Sequence, residues 1–162
     1  MRERSLESAT GATDEFYMQK AYALAKKAYR AAETPIGCVI VYNGRVIAAG
    51  RNRRNAKKNP LYHAEISAIN KAAAFFGDWR LEDAVIYVTC EPCPMCAGAI
   101  IQSRIKRLVY GARSKKAGCA GSVADLFAEN GFNHKVEVSG GCLEEKCSLL
   151  LSAFFRKLRR KV

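Results

Sequence analysis

At 162 residues the chain is long enough for one domain with a buried core, and a hydrophobic content of 49% excludes disorder. No apolar run approaches the roughly 20 residues that cross a membrane, and the first 34 lack the apolar core of a secretion signal, which implies a cytoplasmic protein. The 27 Lys and Arg against 15 Asp and Glu give a formal charge of +12, concentrated in four stretches without an acid: "RNRRNAKK" (51–58), "RIKR" (104–107), "RSKK" (113–116) and "RKLRRK" (156–161). Clustered bases point to a polyanionic partner, the alternative being a solvated basic surface.

Residues 1–13 show no apolar period and read as a loosely ordered arm ahead of a single domain over 14–162. From Asp14 to about Glu33, Phe16, Tyr17, Ala21, Leu24, Ala25 and Ala28 recur near helical spacing. Two β-branched stretches, "IGCVIVY" and "RVIAA", flank Asn43-Gly44, the strongest two-residue hairpin signal. After the first basic loop, "HAEISAINKAAAFF" (63–76) predicts a helix stopped by Gly77. "AVIYVT" (84–89) is almost continuously apolar, which predicts a strand buried on both faces. "CPMCAGAIIQSR" (93–104) reads as a short helix, "RLVYGA" (107–112) as a strand, and "VADLFAEN" (123–130) as a helix closed by Gly131. The last helix, 143–161, carries a stripe of Cys147, Leu150, Leu151, Phe154, Phe155 and Leu158. The order α-β-β-α-β-α-β-α-α implies an α/β sandwich with a mixed sheet between helical layers.

Chemistry concentrates in "CEPCPMC" (90–96). Seven cysteines cannot all pair within one chain, and a reducing compartment disfavours disulfides, so metal binding or catalysis is the better reading. Cys93 and Cys96 stand one helical turn apart at a helix start, a metal-ligand spacing at the helix end that favours thiolate. A redox pair is the alternative. With His63 they make three ligands, which leaves a tetrahedral zinc one open position and marks a catalytic site; Cys90 as a fourth ligand would close it. Glu65 is the candidate proton carrier. Positions two apart on an ideal helix point about 200° from each other, so His63 and Glu65 converge only if His63 sits at the helix edge, which Pro60 upstream permits.

His63-Ala64-Glu65 followed by Pro92-Cys93-Pro94-Met95-Cys96 matches the H-x-E…P-C-x-x-C signature of zinc nucleobase deaminases. "TPIGCVIV", "LYHAEISAI", "YVTCEPCPMCAGAII", "SRI…VYGAR" and "LLSAFFRKLR" extend the match, so that residues 14–160 resemble bacterial tRNA-specific adenosine deaminases. The resemblance implies a three-layer α-β-α sandwich of cytidine deaminase type with a five-stranded mixed sheet, and a homodimer with one zinc per subunit on His63, Cys93 and Cys96. It implies conversion of adenosine to inosine at the wobble position of a tRNA anticodon, with an arginine tRNA as the expected partner through its anticodon stem-loop. Glu65 would carry the proton, Asn52 would hydrogen-bond the purine, and the Ala64 N–H would support the base or the attacking group. Ile36 and Pro92 would line the base slot, although each could be plain core and Asn52 a turn residue. Phe155 or its neighbour Phe154 would stack a flanking base. Cys38 and Cys90 replace small or aliphatic residues, and Ser114 stands where relatives usually carry aspartate, in the loop expected to meet the anticodon ribose. That last departure leaves open an adenosine deaminase acting on single-stranded DNA. Rivals of other classes are a free-base or nucleotide deaminase, such as one for guanine or cytidine, and a non-enzymatic zinc module that binds RNA.

Overall fold

The hairpin at Asn43-Gly44 is present in the computed structural model, which describes residues 10–162, with side chains from Asp14 onward. Both turn residues have positive φ, 49° and 72°, as a tight two-residue turn between twisted strands requires. The Tyr17 hydroxyl donates to the Gly44 carbonyl at 2.6 Å and ties the turn to the first helix. On either side of it β1 (Gly37–Tyr42) and β2 (Arg45–Arg51) pair antiparallel, with a register shift between Ile40 and Val41. β3 (Val85–Cys90) pairs antiparallel with the other side of β1; β4 (Arg107–Ala112) and β5 (Glu137–Ser139) continue in parallel. The sheet is five-stranded and mixed, in the order β2-β1-β3-β4-β5.

Period-two alternation divides the core between its two faces. Val39, Val41, Tyr87 and Val109 point to one side, against Tyr17, Met18 and Ala21 of α1 (Thr10–Arg30). Ile40, Ile86, Val88 and Leu108 point to the other, where Ala64, Ala68 and Ala72 of α3 (Ala64–Phe76) and Ile100 and Ile101 of α4 (Pro94–Gln102) meet them. The last helix, α5 (Glu144–Arg159), lies beside α1 and over β3 and β4. These are the three layers expected.

Alanine at every fourth position lets α3 lie close on the sheet, and Gly50 of β2 makes the approach closer still. A Cβ at Gly50 would run into the Ala64 carbonyl and come within 2.9 Å of the Ala68 nitrogen, so β2 and the first turn of α3 are in backbone contact.

Several expectations are corrected. The first helix begins at Thr10 and ends at Arg30, not at Asp14 and Glu33. Of the expected loose arm, residues 1–9 lie outside the described residues and 10–13 belong to that helix. Residues 123–130 form turns and one isolated bridge, Ala120 to Asp125, instead of a helix. The Asp125 carboxylate takes the Phe127 and Ala128 N–H groups (both 3.1 Å), and Leu126 donates to Cys119, so the backbone groups a helix would need are bonded elsewhere. A one-turn helix α2 (Arg54–Lys57) inside the first basic loop was not anticipated, and the fifth strand that the resemblance implied is the three-residue β5, whose position the chain pattern did not mark.

Asp14 closes the open end of α1 onto the sheet. Arg107 grips it with two nitrogens (2.8 and 2.7 Å), and the Tyr87 hydroxyl donates to it at 2.8 Å. Both ends of this ion pair are largely shielded, with side-chain exposures of 22% and 13%. Asp14→Ala leaves the Tyr87 hydroxyl without its acceptor and Arg107 with only the Ser139 hydroxyl (3.1 Å). The expected loss is about 2–3 kcal/mol, below that of a fully buried pair because some solvent reaches both groups. Thermal or urea unfolding reads it directly, and an unchanged stability would make the contact a surface ornament.

Candidate active site

Two helices begin at the same point. His63 and Cys93 are the N-cap residues of α3 and α4, both with extended backbone (φ/ψ −77°/158° and −74°/173°), and neither side chain caps its own helix. An N-cap side chain ordinarily accepts a bond from its helix. Here the two turn toward each other: His63 Nδ1 stands 3.6 Å from Cys93 Sγ and 3.5 Å from Cys96 Sγ. The three ligand atoms lie within 4.8 Å of one another, and the set of one imidazole and two thiols suits zinc. Pro94 at the first turn of α4 presets its φ, and Cys96 follows one turn along. The extended backbone at His63 also answers the 200° objection, since His63 precedes the helix on which Glu65 sits. Cys90 stands outside this group.

The electrostatics favour the ligand form at one of the three, Cys93. Hydrogen bonding with Cys96, then with His63, pulls the Cys93 thiol down to about 4 against the burial that would raise it. The same contact with Cys93 raises Cys96 and, foremost among its causes, raises His63. Glu65 is buried, and burial pushes its carboxyl up to about 7. A carboxyl poised there both takes and gives a proton near neutral pH.

Glu65, His63 and Ala64 line a slot of about 100 Å³ together with Thr34, Ile36, Asn52 and Arg54. Asn52 is buried; its Oδ1 accepts the Arg54 N–H (3.2 Å), while its Nδ2 reaches only a long contact with the Thr34 carbonyl (3.5 Å) and so retains donor capacity toward the slot. Ala64 opens α3, where backbone N–H groups lack helical acceptors. Pro92 lines neither this slot nor the larger cavity beside it; it is buried, with its carbonyl accepting the Cys119 N–H (2.9 Å). The resemblance put its ring in the wall of the slot; its carbonyl is bonded to the 113–122 loop.

That larger cavity, about 750 Å³, shares Thr34 and Ile36 with the slot and also contains Cys90, Ser114 and Phe155. Arg113, Lys115, Lys116, Arg156 and Arg159 rim it without an acid. The two neighbouring phenylalanines divide their roles: Phe154 is buried against Tyr29, whereas Phe155 is 43% exposed in the cavity. Three of the four basic stretches thus border the two cavities. The fourth does not: Arg107 is committed to Asp14, and Arg104 lies over Trp79 at 5.6 Å.

Two buried acids escaped the sequence reading. Glu33 accepts the Asn55 and Ala56 N–H groups (3.2 and 2.7 Å) and holds α2 in place. Glu91 does the same for the loop that carries Ser114. Burial opposes its charge, but donors from Ser122, Ser114 and Ala120 prevail and hold its carboxyl below the usual range. The "E-P" before Cys93 was the visible signal for Glu91; for Glu33 there was none.

The family described as MafB19-like deaminase matches residues 12–159. A tRNA-specific adenosine deaminase of Bacillus subtilis (strain 168) is 50% identical over 148 residues, 91% of this chain and 92% of the relative. One from Haemophilus influenzae (strain ATCC 51907 / DSM 11121 / KW20 / Rd) is 45% identical over 149 residues, covering 91% and 86%. Among solved structures, one from work on A-to-I editing by tRNA:A34 deaminases at the wobble position of transfer RNA is similar with a TM-score of 0.80. It is 39% identical and covers 83% of this chain and 98% of its own. A guanine deaminase from Bacillus subtilis is similar at a TM-score of 0.61 and 34% identity, covering 90% and 93%.

The geometry separates the three candidate ligands from Glu65, the candidate proton carrier. His63→Ala, Cys93→Ala and Cys96→Ala should each purify with well under one zinc per chain, whereas Glu65→Ala keeps its zinc and loses activity by a factor on the order of 10²–10⁴ or more. Elemental analysis beside a deamination assay checks both halves. Zinc lost from the Glu65 variant would make that residue a ligand.

Proposed function

The chain belongs to the MafB19-like deaminase family and to the tRNA-specific adenosine deaminases, and on that premise we propose how its residues act and what they read. It is a tRNA adenosine deaminase. The reaction we assign is hydrolytic conversion of adenosine to inosine at the wobble position of an anticodon, with an arginine tRNA as the expected substrate. The observation that carries this reading is that the small slot at Glu65 adjoins, across Thr34 and Ile36, a cation-rimmed cavity lined by Phe155.

His63, Cys93 and Cys96 would hold one zinc ion per subunit. Bound there, zinc supplies Lewis-acid chemistry that brings the pKa of a water from about 15.7 to about 7. Glu65 accepts a proton from the attacking water, hands one to the purine ring nitrogen, and assists the amino group as it leaves C6 as ammonia. Its raised carboxyl suits both directions of transfer. Asn52 Nδ2 donates to the purine, and the Ala64 N–H, at the positive end of α3, supports the base or the developing charge. Ile36 packs against the ring at the mouth of the slot.

The target base reaches this slot only outside its stack, and unpaired loop bases are what proteins read most readily in RNA. Phe155 stacks a flanking base, Arg113, Lys115, Lys116, Arg156 and Arg159 hold phosphates, and Ser114 faces a ribose. A homodimer through α4 belongs to this reading, since Met95, Gly98 and Ala99 leave an apolar strip half-buried beside the zinc ligands. Sedimentation at micromolar concentration tests it, and a fully active monomer would refute it. No helix among the described residues is long and apolar enough to cross a membrane, and a substrate such as tRNA fits a cytoplasmic enzyme.

One assay decides substrate and the part of Ser114. On matched RNA and DNA anticodon hairpins, guanine and cytidine, the RNA hairpin should be deaminated best, and turnover of guanine or cytidine alone would sink the reading. A carboxylate facing the ribose would bond its 2′-hydroxyl more strongly than serine does, by about 1.4 kcal/mol or roughly tenfold. Ser114→Asp should therefore raise the RNA-to-DNA ratio of kcat/KM by about that factor. An unchanged ratio would place Ser114 away from the sugar.

A further inference from the structure

Glu91 is only 3% exposed, yet it takes part in none of the ion pairs among the described residues. Neutral donors surround it instead. Oε1 accepts the N–H groups of Ala120 (2.9 Å) and Ser122 (3.0 Å); Oε2 accepts the Ser114 N–H (2.9 Å) and the Ser122 hydroxyl. The backbone continues the stitching. Glu91 N–H donates to the Ala112 carbonyl (2.8 Å), and Cys119 N–H donates to that of Pro92 (2.9 Å). Gly118 leaves no room for a Cβ, which would strike the carboxylate.

We infer that Glu91 is a positioning residue for the substrate: its carboxylate fixes the 113–122 loop, and with it Ser114, Arg113, Lys115 and Lys116, relative to the Cys93 turn that begins two residues on. The chemistry of the contact requires an anion. Four donors converge on two oxygens, a demand that only a carboxylate meets in full, because an amide turns one of its two heads into a donor. The loop, in turn, supplies part of the cationic rim of the large cavity. Glu91 therefore links two parts of one site that lie about 20 residues apart in sequence, the metal turn and the phosphate-facing loop. This inference rests on the RNA reading above for the identity of what the loop holds, and on the hydrogen bonds alone for the anchoring.

Glu91→Gln is the test, since it keeps size and shape while setting an amide N–H against a donor. We expect full zinc content and an unchanged far-UV spectrum. Amide hydrogen exchange should accelerate in 113–122 and stay at the wild-type rate in 93–102. On the RNA hairpin, KM should rise about tenfold or more while kcat stays within a factor of about three. Ser122→Ala, which removes one donor and leaves the acid, should move KM and loop exchange in the same direction by less, and it decides the matter if the Gln variant does not fold. Unchanged exchange in the loop overturns the inference. So does a fall in kcat accompanied by zinc loss with KM unaltered, which would confine Glu91 to the metal turn. If the wild-type protein does not deaminate the hairpin, the RNA reading fails by itself, and loop exchange still decides the anchoring.

Discussion

The meeting of two helix starts is the constraint on which the molecule is built. An N-cap side chain normally turns back to serve its own helix, and at both α3 and α4 that service is withheld. The withheld side chains face one another, and the unpaired amides of both first turns add partial positive charge around them. That charge favours a thiolate, and Cys93, hydrogen-bonded to Cys96 and to His63, is the thiol held lowest. Bringing two like-polarised helix ends together is unfavourable without anionic ligands between them. The alanine face of α3, Gly50 beneath its first turn and Pro94 at the start of α4 supply the steric means.

A second pattern repeats on both sides of the cleft. Each cation-bearing loop is folded around a buried carboxylate that touches none of its cations. Glu33 holds the loop of Arg53, Arg54 and Lys57 by two backbone N–H groups, and Glu91 holds that of Arg113, Lys115 and Lys116 by three and a hydroxyl. The acids satisfy main chain, which leaves the basic side chains outside, without an ion pair among the described residues and open to an external anion. Had the same acids paired with Arg or Lys, the loops would be ordered but electrically spent.

Much of this could be read from the chain, and the failures share a cause. The Asn43-Gly44 turn, the apolar run of β3 and the period-two core strands are local signals that tertiary structure had no reason to override. The convergence of His63 with the Cys93–Cys96 pair was legible because a candidate metal site needs particular side chains at particular spacings. The 123–130 segment has a helical composition, yet Asp125 and the carbonyls of 118 and 119 take its amides, a competition no local window contains. Glu33 looks like the polar tail of a helix until α2 folds onto it. Which of Phe154 and Phe155 is free depends on Tyr29, more than 120 residues away in sequence.

Backbone contact between Gly50 and the start of α3 fixes one wall of the slot, the turn that carries His63, Ala64 and Glu65, against β2 with no soft side chain between them to yield. Such a slot does not widen for an awkward guest, so adaptation falls to the nucleic acid. Turning a nucleotide out costs a few kcal/mol in a paired, stacked context and much less in a loop that is already splayed. Two RNAs with identical bases at the target would then be sorted by how pliable their backbones are, a criterion of mechanics that works before any base edge is touched.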